Sequence, residues 1–341
     1  MNFTKLKPGD RVAILSLSGG LPEVLPLPFE LGLKRLREDF SLIPVEYPTT
    51  RVLRSSPADR AADLHAAFAD PSVRAVMATI GGSDQLTVLP HLDAELLRAN
   101  PKPFFGMSDN TNLLAYLASI GVGGYHGGSV MVHLGRPGGL HPQSTESLRA
   151  ALFDSGPYEL TPATRFTDLD GDWTTPSAFE TEVESFPGDG WVWHNAESVA
   201  SGPSWGGCVE VLAWLLMANR CIPSSLDGAV LMLETSEEMP RHKDVYTILR
   251  SMGERGLLAG VAGVMVARPK TSNLTFRASE ASRRSYVEDQ RAAVSRALTE
   301  YCPSAVVVFN VDFGHTDPQL ILPYGGNVTL DGPSQRIVVS Y

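Results

Sequence analysis

The sequence predicts an α/β protein with a mainly parallel sheet in its N-terminal half and a mixed β/α arrangement in its C-terminal half. Short apolar runs alternate with longer amphipathic segments over residues 11–150, as in strands joined by helices. The runs are almost uninterrupted by polar residues, which is typical of parallel strands covered on both faces. At 341 residues the chain is about twice the common domain length, which favours two domains.

Each predicted element of the N-terminal half follows from one of these runs or segments. The predicted strands are Val12–Leu17, Leu42–Val45, Ala75–Ile80 and Pro103–Met107, and the predicted helices lie near residues 28–39, 57–69, 85–98 and 109–119.

The amino-acid composition changes between residues 155 and 205. This stretch is rich in Pro, Thr, Asp, Gly and Trp and lacks helical periodicity. We therefore expect an N-terminal α/β domain at 1–155, a linker and substrate loop at 156–185, and a mixed β/α domain at 186–341. The later elements are predicted at Cys208–Met217 (helix), Ala229–Glu234 (strand), Arg241–Gly253 (helix), Val261–Ala267 (strand), Ala281–Tyr301 (helix) and Ala305–Asn310 (strand).

Composition excludes several classes of protein. With 43% hydrophobic and 19% charged residues the chain can fold around a core, and a net charge of −10 disfavours nucleic acid as a partner. The first apolar run is too short for a signal peptide or a membrane span, so we expect a cytoplasmic protein without a membrane partner. The cysteines at 208, 221 and 302 lack a CxxC spacing and are expected to be small buried hydrophobes.

Ser108 is a candidate nucleophile because it lies between an apolar run and an amphipathic helix. A hydroxyl at such a turn extends beyond the sheet edge, where the first N–H groups of the helix can stabilise an oxyanion. The alternative is a helix cap, since Ser, Asp, Asn and Thr in succession are typical of an N-terminal cap. The segment also departs from the G-x-S-x-G pattern of α/β-hydrolases, because Asn110 replaces the second glycine.

A serine needs a base near neutral pKa, and His315 is the candidate among eight histidines. It lies in a Gly- and Pro-punctuated loop directly after a predicted strand, although it could be an ordinary turn histidine. Glu234 ends another predicted strand and could orient the imidazole. A competing interpretation treats Thr235–Glu238 as a capping box, and that interpretation leaves Glu234 unexplained.

Gly81 and Gly82 follow a predicted strand, where the backbone can turn sharply and offer a second oxyanion donor. No dinucleotide or phosphate-binding glycine loop occurs in the sequence. His126 and His133 have no nearby acidic partner, so we expect neither a metal site nor a cofactor.

Several short motifs together resemble the serine peptidase family of LD-carboxypeptidases and microcin C immunity proteins. They span nearly the whole chain, in an order and with separations that fit together, and are found at residues 6–10, Ile80–Gly82, Gly106–Asp109, Trp205–Gly207, Leu233–Ser236, 314–318 and Leu322–Gly325.

This resemblance implies a triad of Ser108 as nucleophile, Glu234 as acidic member and His315 as general base. It further implies oxyanion donation by the backbone amides of Gly82 and Asp109. The implied fold is an N-terminal flavodoxin-like domain followed by a C-terminal swivelling β/α domain, in a homodimer.

The resemblance leaves the substrate open between two branches. The immunity branch cleaves the amide between an amino acid and a sulfamoyl- or phosphoramidate-linked adenosine, whereas muropeptide LD-carboxypeptidases release a terminal D-alanine. The stretch around Trp173 resembles the longer loop of the immunity branch, which makes Trp173 a candidate for stacking on adenine, although it could instead fill the domain interface. A non-enzymatic nucleotide-peptide binding protein is a third hypothesis.

Overall fold

The computed structural model describes residues 3–341, which form two compact units. The first unit contains the chain up to Ser155 together with Gly171–Val183 and Tyr341. The second contains Gly156–Asp170 and Glu184–Ser340. The chain therefore crosses between the units more than once.

The strands of the first unit run in the order β2-β1-β3-β4-β5 and are all parallel. This is the doubly wound order of flavodoxin-like folds, so the predicted fold class is confirmed. Ligands of such sheets bind beyond the carboxyl ends of the strands, which is where the candidate residues of this unit lie. The strands are β1 (Arg11–Leu15), β2 (Ile43–Glu46), β3 (Val73–Ala78), β4 (Phe104–Gly106) and β5 (Gly124–His126).

The helices of the first unit connect these strands and bury their apolar faces against the sheet. The predicted helix at 85–98 is wrong over its first half, which forms two short 3₁₀ turns. Pro90 lacks the N–H that a continuing helix needs, and the side chain of Asp93 caps a new helix by accepting from the amides of Glu95 and Leu96. The helices are α1 (Pro26–Glu38), α2 (Pro57–Ala69), α3 (Ala94–Ala99), α4 (Thr111–Ser119) and α5 (Pro142–Phe153).

The second unit is built on a mixed sheet in the order β6-β16-β15-β10-β11-β12-β13-β9. Its centre, β10 to β13, is parallel, and the outer strands pair antiparallel. The strands of this unit are β6 (Pro157–Leu160), β7 (Arg165–Phe166), β8 (Phe186–Pro187), β9 (Val192–His194), β10 (Val199–Cys208), β11 (Val230–Glu234), β12 (Gly263–Ala267), β13 (Val306–Val311), β14 (Leu322–Tyr324), β15 (Asn327–Asp331) and β16 (Arg336–Ser340).

Three helices complete the second unit: α6 (Val209–Ala218), α7 (His242–Glu254) and α8 (Glu280–Tyr301). The capping-box interpretation of Thr235–Glu238 is wrong, because α7 begins later and has Arg241 at its N-cap position. The Ser236 side chain and amide instead bond to Glu210 Oε1, at 2.6 and 3.0 Å. The segment after β11 is thus a loop fixed by a tertiary contact.

The cysteines follow the expectation at two of three positions. Cys208 and Cys302 are buried, and burial raises the pKa of both thiols, that of Cys302 to about 11. Cys221 is only partly buried and has a left-handed backbone conformation, with φ +53°. The expectation of burial is therefore wrong for Cys221, which lies just beyond the C-terminus of α6.

Within residues 3–341, no helix is both long and apolar enough to cross a membrane.

Candidate active site

Ser108 occupies a strained turn directly after β4. Its φ of +59° lies in the left-handed region that side chains other than glycine rarely adopt, at a cost of about 1–3 kcal/mol. The serine is half-exposed, whereas its neighbours Met107 and Asp109 are buried. Its side chain caps neither the 3₁₀ turn Ser108–Asn110 nor α4. The capping interpretation is therefore wrong, and strain of this kind concentrates at functional residues.

A buried carboxylate holds the residue after the serine in place. Asp109 is fully buried. Its carboxylate accepts hydrogen bonds from the Ser18 hydroxyl, the backbone amide of Gln85 (2.9 Å) and the side-chain amide of Asn112 (2.8 Å). Burial raises the pKa of this carboxyl, against the lowering effect of its hydrogen bonds to Ser18 and Gln85. These bonds join the loops that follow β1 and β3 to the turn that follows β4.

Asn110 fills the position at which a hydrolase elbow has its second glycine. Its side-chain amide donates to Met107 O at 2.9 Å, and its Oδ1 accepts from the Gln85 side chain at 2.8 Å. Gln85 also accepts from the amide of Leu113 at 3.0 Å, so one buried side chain fixes both the turn and the first turn of α4. A Cβ at Gly106 would lie 2.8 Å from Asn110 Cβ, so the strand must end in glycine.

Gly81 and Gly82 pack tightly against this turn. A Cβ on Gly81 would lie 3.1 Å from the Ser108 hydroxyl oxygen and 3.3 Å from the Asp109 amide nitrogen. A Cβ on Gly82, whose φ is +156°, would lie 2.3 Å from the Ser18 hydroxyl oxygen. Within residues 3–341 the amides of Gly82 and Asp109 donate no backbone hydrogen bond outside regular elements, as the prediction that they are oxyanion donors requires.

Replacing Gly82 with alanine should lower the free energy of unfolding by about 1–3 kcal/mol, because the new methyl group forces Ser18 away from Asp109. Gly121→Ala is the matched control, since Gly121 also has a positive φ, +80°, with no atom near its Cβ position. Thermal denaturation of both variants measures the difference. Equal losses of stability would show that crowding against Ser18 contributes nothing.

In the second unit, Glu234 and His315 form a close ion pair. Glu234 Oε2 lies 2.6 Å from His315 Nδ1, and the Glu234 carboxylate is completely buried at the end of β11. His315 follows β13, and 11% of its side chain is exposed. A residue at the end of β11 and one in the loop after β13, 81 residues apart in sequence, thus bring a carboxylate to an imidazole, in the arrangement that fixes a catalytic tautomer.

The other nitrogen of His315 also faces a carboxylate. Glu237 Oε2 lies 3.3 Å from His315 Nε2, and Glu210 adds a further negative charge nearby. Burial alone would lower the pKa of this imidazole, but the charges and hydrogen bond of these glutamates outweigh it and raise the pKa to about 9. The glutamates therefore favour the protonated form of this imidazole.

The predicted site residues thus fall into two groups. Ser108, Gly82 and Asp109 belong to the first unit, whereas Glu234 and His315 belong to the second. Trp173 is half-buried in a loop of the first unit, next to an Asp172 side chain that bonds to Thr174 and Thr175.

Sequence reasoning assigned no role to three contributors, Ser18, Gln85 and Glu237. Only the position of Ser18 directly after a strand could have indicated its role. Among residues 3–341, no group of three or more His, Cys, Asp or Glu is placed to hold a metal ion.

The fold defines an α/β protein with a flavodoxin-like N-terminal sheet and a mixed C-terminal sheet. The family model of the LD-carboxypeptidase N-terminal domain matches residues 12–127, and that of the C-terminal domain matches residues 201–330. The chain therefore belongs to the LD-carboxypeptidase family of serine peptidases.

Individual relatives extend this finding over the whole chain. A Streptomyces coelicolor protein whose name describes it as a carboxypeptidase is 31% identical over 97% of this chain and 96% of its own. The microcin C7 self-immunity protein MccF of Escherichia coli is 26% identical over 83% of this chain and 78% of its own. The crystal structure of an MccF-like protein from Bacillus anthracis covers 100% of both chains, with 25% identity and a TM-score of 0.84.

Proposed function

We propose that the protein is a serine carboxypeptidase of the microcin-immunity type. In this proposal it hydrolyses the amide between an amino acid and a sulfamoyl- or phosphoramidate-linked adenosine. The observation that carries the chemistry is the 2.6 Å contact between the buried Glu234 carboxylate and His315 Nδ1, which leaves Nε2 as the nitrogen for proton transfer.

The proposed reaction begins with attack of the Ser108 hydroxyl oxygen on the scissile carbonyl carbon. His315 Nε2 takes the hydroxyl proton, and Glu234 stabilises the imidazolium that forms. The amides of Gly82 and Asp109 donate to the developing oxyanion. His315 then returns the proton to the leaving nitrogen, and the C–N bond breaks to give an acyl-enzyme.

Water completes the proposed cycle. His315 removes a proton from the attacking water, and the second tetrahedral intermediate collapses to release the amino acid and free Ser108. The strained backbone of Ser108 fits this role, because it holds the hydroxyl at the end of β4 throughout both steps.

The proposal that the substrate contains a nucleotide rests on structures of related proteins. A Streptococcus pneumoniae MccF-like protein, 25% identical over 98% of this chain with a TM-score of 0.83, was crystallised with AMP. MccF itself was crystallised with aspartyl sulfamoyl adenosine. We assign Trp173 to stacking on the base, because its indole is half-buried in an exposed loop and base stacking contributes about 1–3 kcal/mol.

The second candidate function is muropeptide recycling, which a different relative favours. A Bacillus subtilis protein named as a probable murein peptide carboxypeptidase is 26% identical over 82% of this chain. In that case the substrate is an L,D-tetrapeptide without a nucleobase, and Trp173 has no base on which to stack.

A side-by-side assay with purified protein separates the two functions. We expect turnover of aspartyl sulfamoyl adenosine, little turnover of the tetrapeptide, and a 10- to 100-fold rise in KM for the nucleotide substrate in Trp173→Ala, equivalent to about 1–3 kcal/mol of lost stacking. Trp214→Ala is the control, since Trp214 is also a half-buried tryptophan but belongs to α6 of the second unit. Preferential cleavage of the tetrapeptide, unchanged in Trp173→Ala, would favour the second function.

A further inference from the structure

His315 lies between two glutamates that differ in accessibility. On the Nδ1 side, Glu234 is completely buried and is fixed at the end of β11. On the Nε2 side, 53% of the Glu237 side chain is exposed, and its carboxylate oxygen lies 3.3 Å away. Within residues 3–341 this carboxylate has His315 as its only hydrogen-bonding or ion-pair partner. It can therefore leave without breaking another contact.

The backbone of Glu237 is held although its side chain is exposed. The preceding residue, Ser236, bonds through its amide and hydroxyl to Glu210 on α6, and the amide of Met239 donates to the Ser236 carbonyl at 3.2 Å. Asn273 donates to the carbonyl of Glu237 itself at 3.3 Å. The loop thus holds a rotatable carboxylate beside Nε2, which is the arrangement of a preformed binding group.

The proposed reaction requires this carboxylate to move. Nε2 must accept the proton of Ser108, so Glu237 cannot keep its present contact in the productive complex. Once displaced, this half-exposed carboxylate can pair with a cationic group of a bound substrate close to the reacting carbonyl. An aminoacyl substrate supplies one, because its α-ammonium nitrogen is separated from the scissile carbonyl carbon by a single carbon atom.

We propose that Glu237 binds the α-ammonium group of the substrate and exchanges its contact with His315 for this ion pair when substrate binds. The inference rests on the proposed function and defines its substrate class as aminoacyl compounds with a free α-amine. An L,D-tetrapeptide lacks this group on the acyl residue, because that nitrogen forms a peptide bond. Glu237 is then a residue that selects between the two branches.

The exchange of partners by Glu237 also changes the pKa of the proposed general base, His315. In the free protein the charged groups that face the imidazole within its unit are Glu234 at the end of β11, Glu237 in the following loop and Glu210 on α6. Pairing with the ammonium removes the influence of Glu237 on Nε2. The pKa of His315, raised to about 9 in the free protein, should then fall toward the range of an effective general base.

The test compares aspartyl sulfamoyl adenosine with its N-acetyl derivative, in which an uncharged amide replaces the ammonium group and the rest of the molecule is unchanged. Wild type should prefer the free amine by about 10- to 100-fold in kcat/KM, the effect of one hydrogen bond to a charged group. In Glu237→Gln the preference should fall to about threefold or less, through loss of activity on the free amine only. Glu238→Gln, at the neighbouring exposed position, is the matched control and should keep the full preference.

A second readout separates this role from a structural one. With the N-acetyl substrate, the acid limb of the pH profile of kcat/KM should lie at lower pH in Glu237→Gln than in wild type, because one carboxylate beside Nε2 has lost its charge. Turnover of the N-acetyl substrate by the variant also shows that it is folded. Glu237→Asp, which keeps the charge on a shorter side chain, should retain part of the preference.

The outcomes are distinguishable. Equal activity of wild type on both substrates, or a full preference in Glu237→Gln, would overturn the inference and leave the proposed function intact. An equal loss on both substrates in Glu237→Gln, without a shift of the pH profile, would assign Glu237 a structural role and also overturn it. Hydrolysis of neither substrate by wild type would overturn the proposed function and the inference together.

Discussion

Replacing Ser108 with alanine should lower kcat for an aminoacyl sulfamoyl adenosine by about 10⁴-fold or more, the magnitude seen when a triad nucleophile is removed. Only the hydroxyl is lost, and alanine accepts the left-handed backbone of this turn about as poorly as serine does. The folded protein should therefore keep its thermal stability. The variant should also lose covalent labelling by a serine-directed phosphonylating reagent.

Ser41→Ala provides a matched control for this experiment. Ser41 also has a left-handed backbone, with φ +54°, and it is exposed at the C-terminal side of α1. Its replacement should leave turnover and labelling unchanged. If Ser108→Ala retained wild-type kcat, the serine would have no part in the mechanism, and the acyl-enzyme would have to be abandoned.

Glu234→Gln should lower kcat by about 10⁴-fold, the effect of the corresponding carboxylate-to-amide change in a serine protease. The substitution conserves shape, but an amide can donate to Nδ1 of His315 and so favour the wrong tautomer. The loss of charge also removes the strongest of the influences that raise the pKa of His315 to about 9, so this pKa should fall. Steady-state kinetics and NMR titration of the His315 ring measure the two effects.

Glu210→Gln is the comparison variant, for which we expect a smaller effect on His315 than for Glu234→Gln. Glu210 contributes to the raised pKa of His315 but bonds to Ser236 and makes no bond to the imidazole. Its replacement should lower the pKa less and should leave the tautomer unaffected. A Glu234→Gln variant with kcat within a few-fold of wild type would show that the 2.6 Å contact does not orient a catalytic base.

The strands and most of the helices could be predicted because hydrophobic periodicity is a local property. The predicted helix at 57–69 agrees with α2, and the strand that ends at Glu234 was placed to within one residue. The first half of the predicted helix at 85–98 was wrong, because Pro90 cannot continue a helix and the side chain of Gln85 bonds to Asn110 and Leu113. Propensity gives no access to such bonds.

The candidate site, like the fold, could be predicted from the sequence only in part. The positions of Ser108, Glu234 and His315 at strand ends followed from the apolar runs before them, and their roles came from the family resemblance. The capping motif after Glu234 was misleading, since Ser236 bonds to a glutamate 26 residues earlier in the chain. The contact of Glu237 with His315 depends on that anchor, so no sequence pattern could have indicated it. The convergence of Ser108 with His315 remains a prediction.

The packing of Gly106 against Asn110 has a consequence for how such proteins are recognised. In the familiar elbow a small residue two positions after the serine gives the chain room to turn. Here only the glycine two positions before the serine, which the familiar elbow also has, is present, and the later residue is a hydrogen-bonded asparagine. A sequence pattern that requires glycine after the nucleophile would overlook this solution, although both place a serine hydroxyl at the end of a parallel strand.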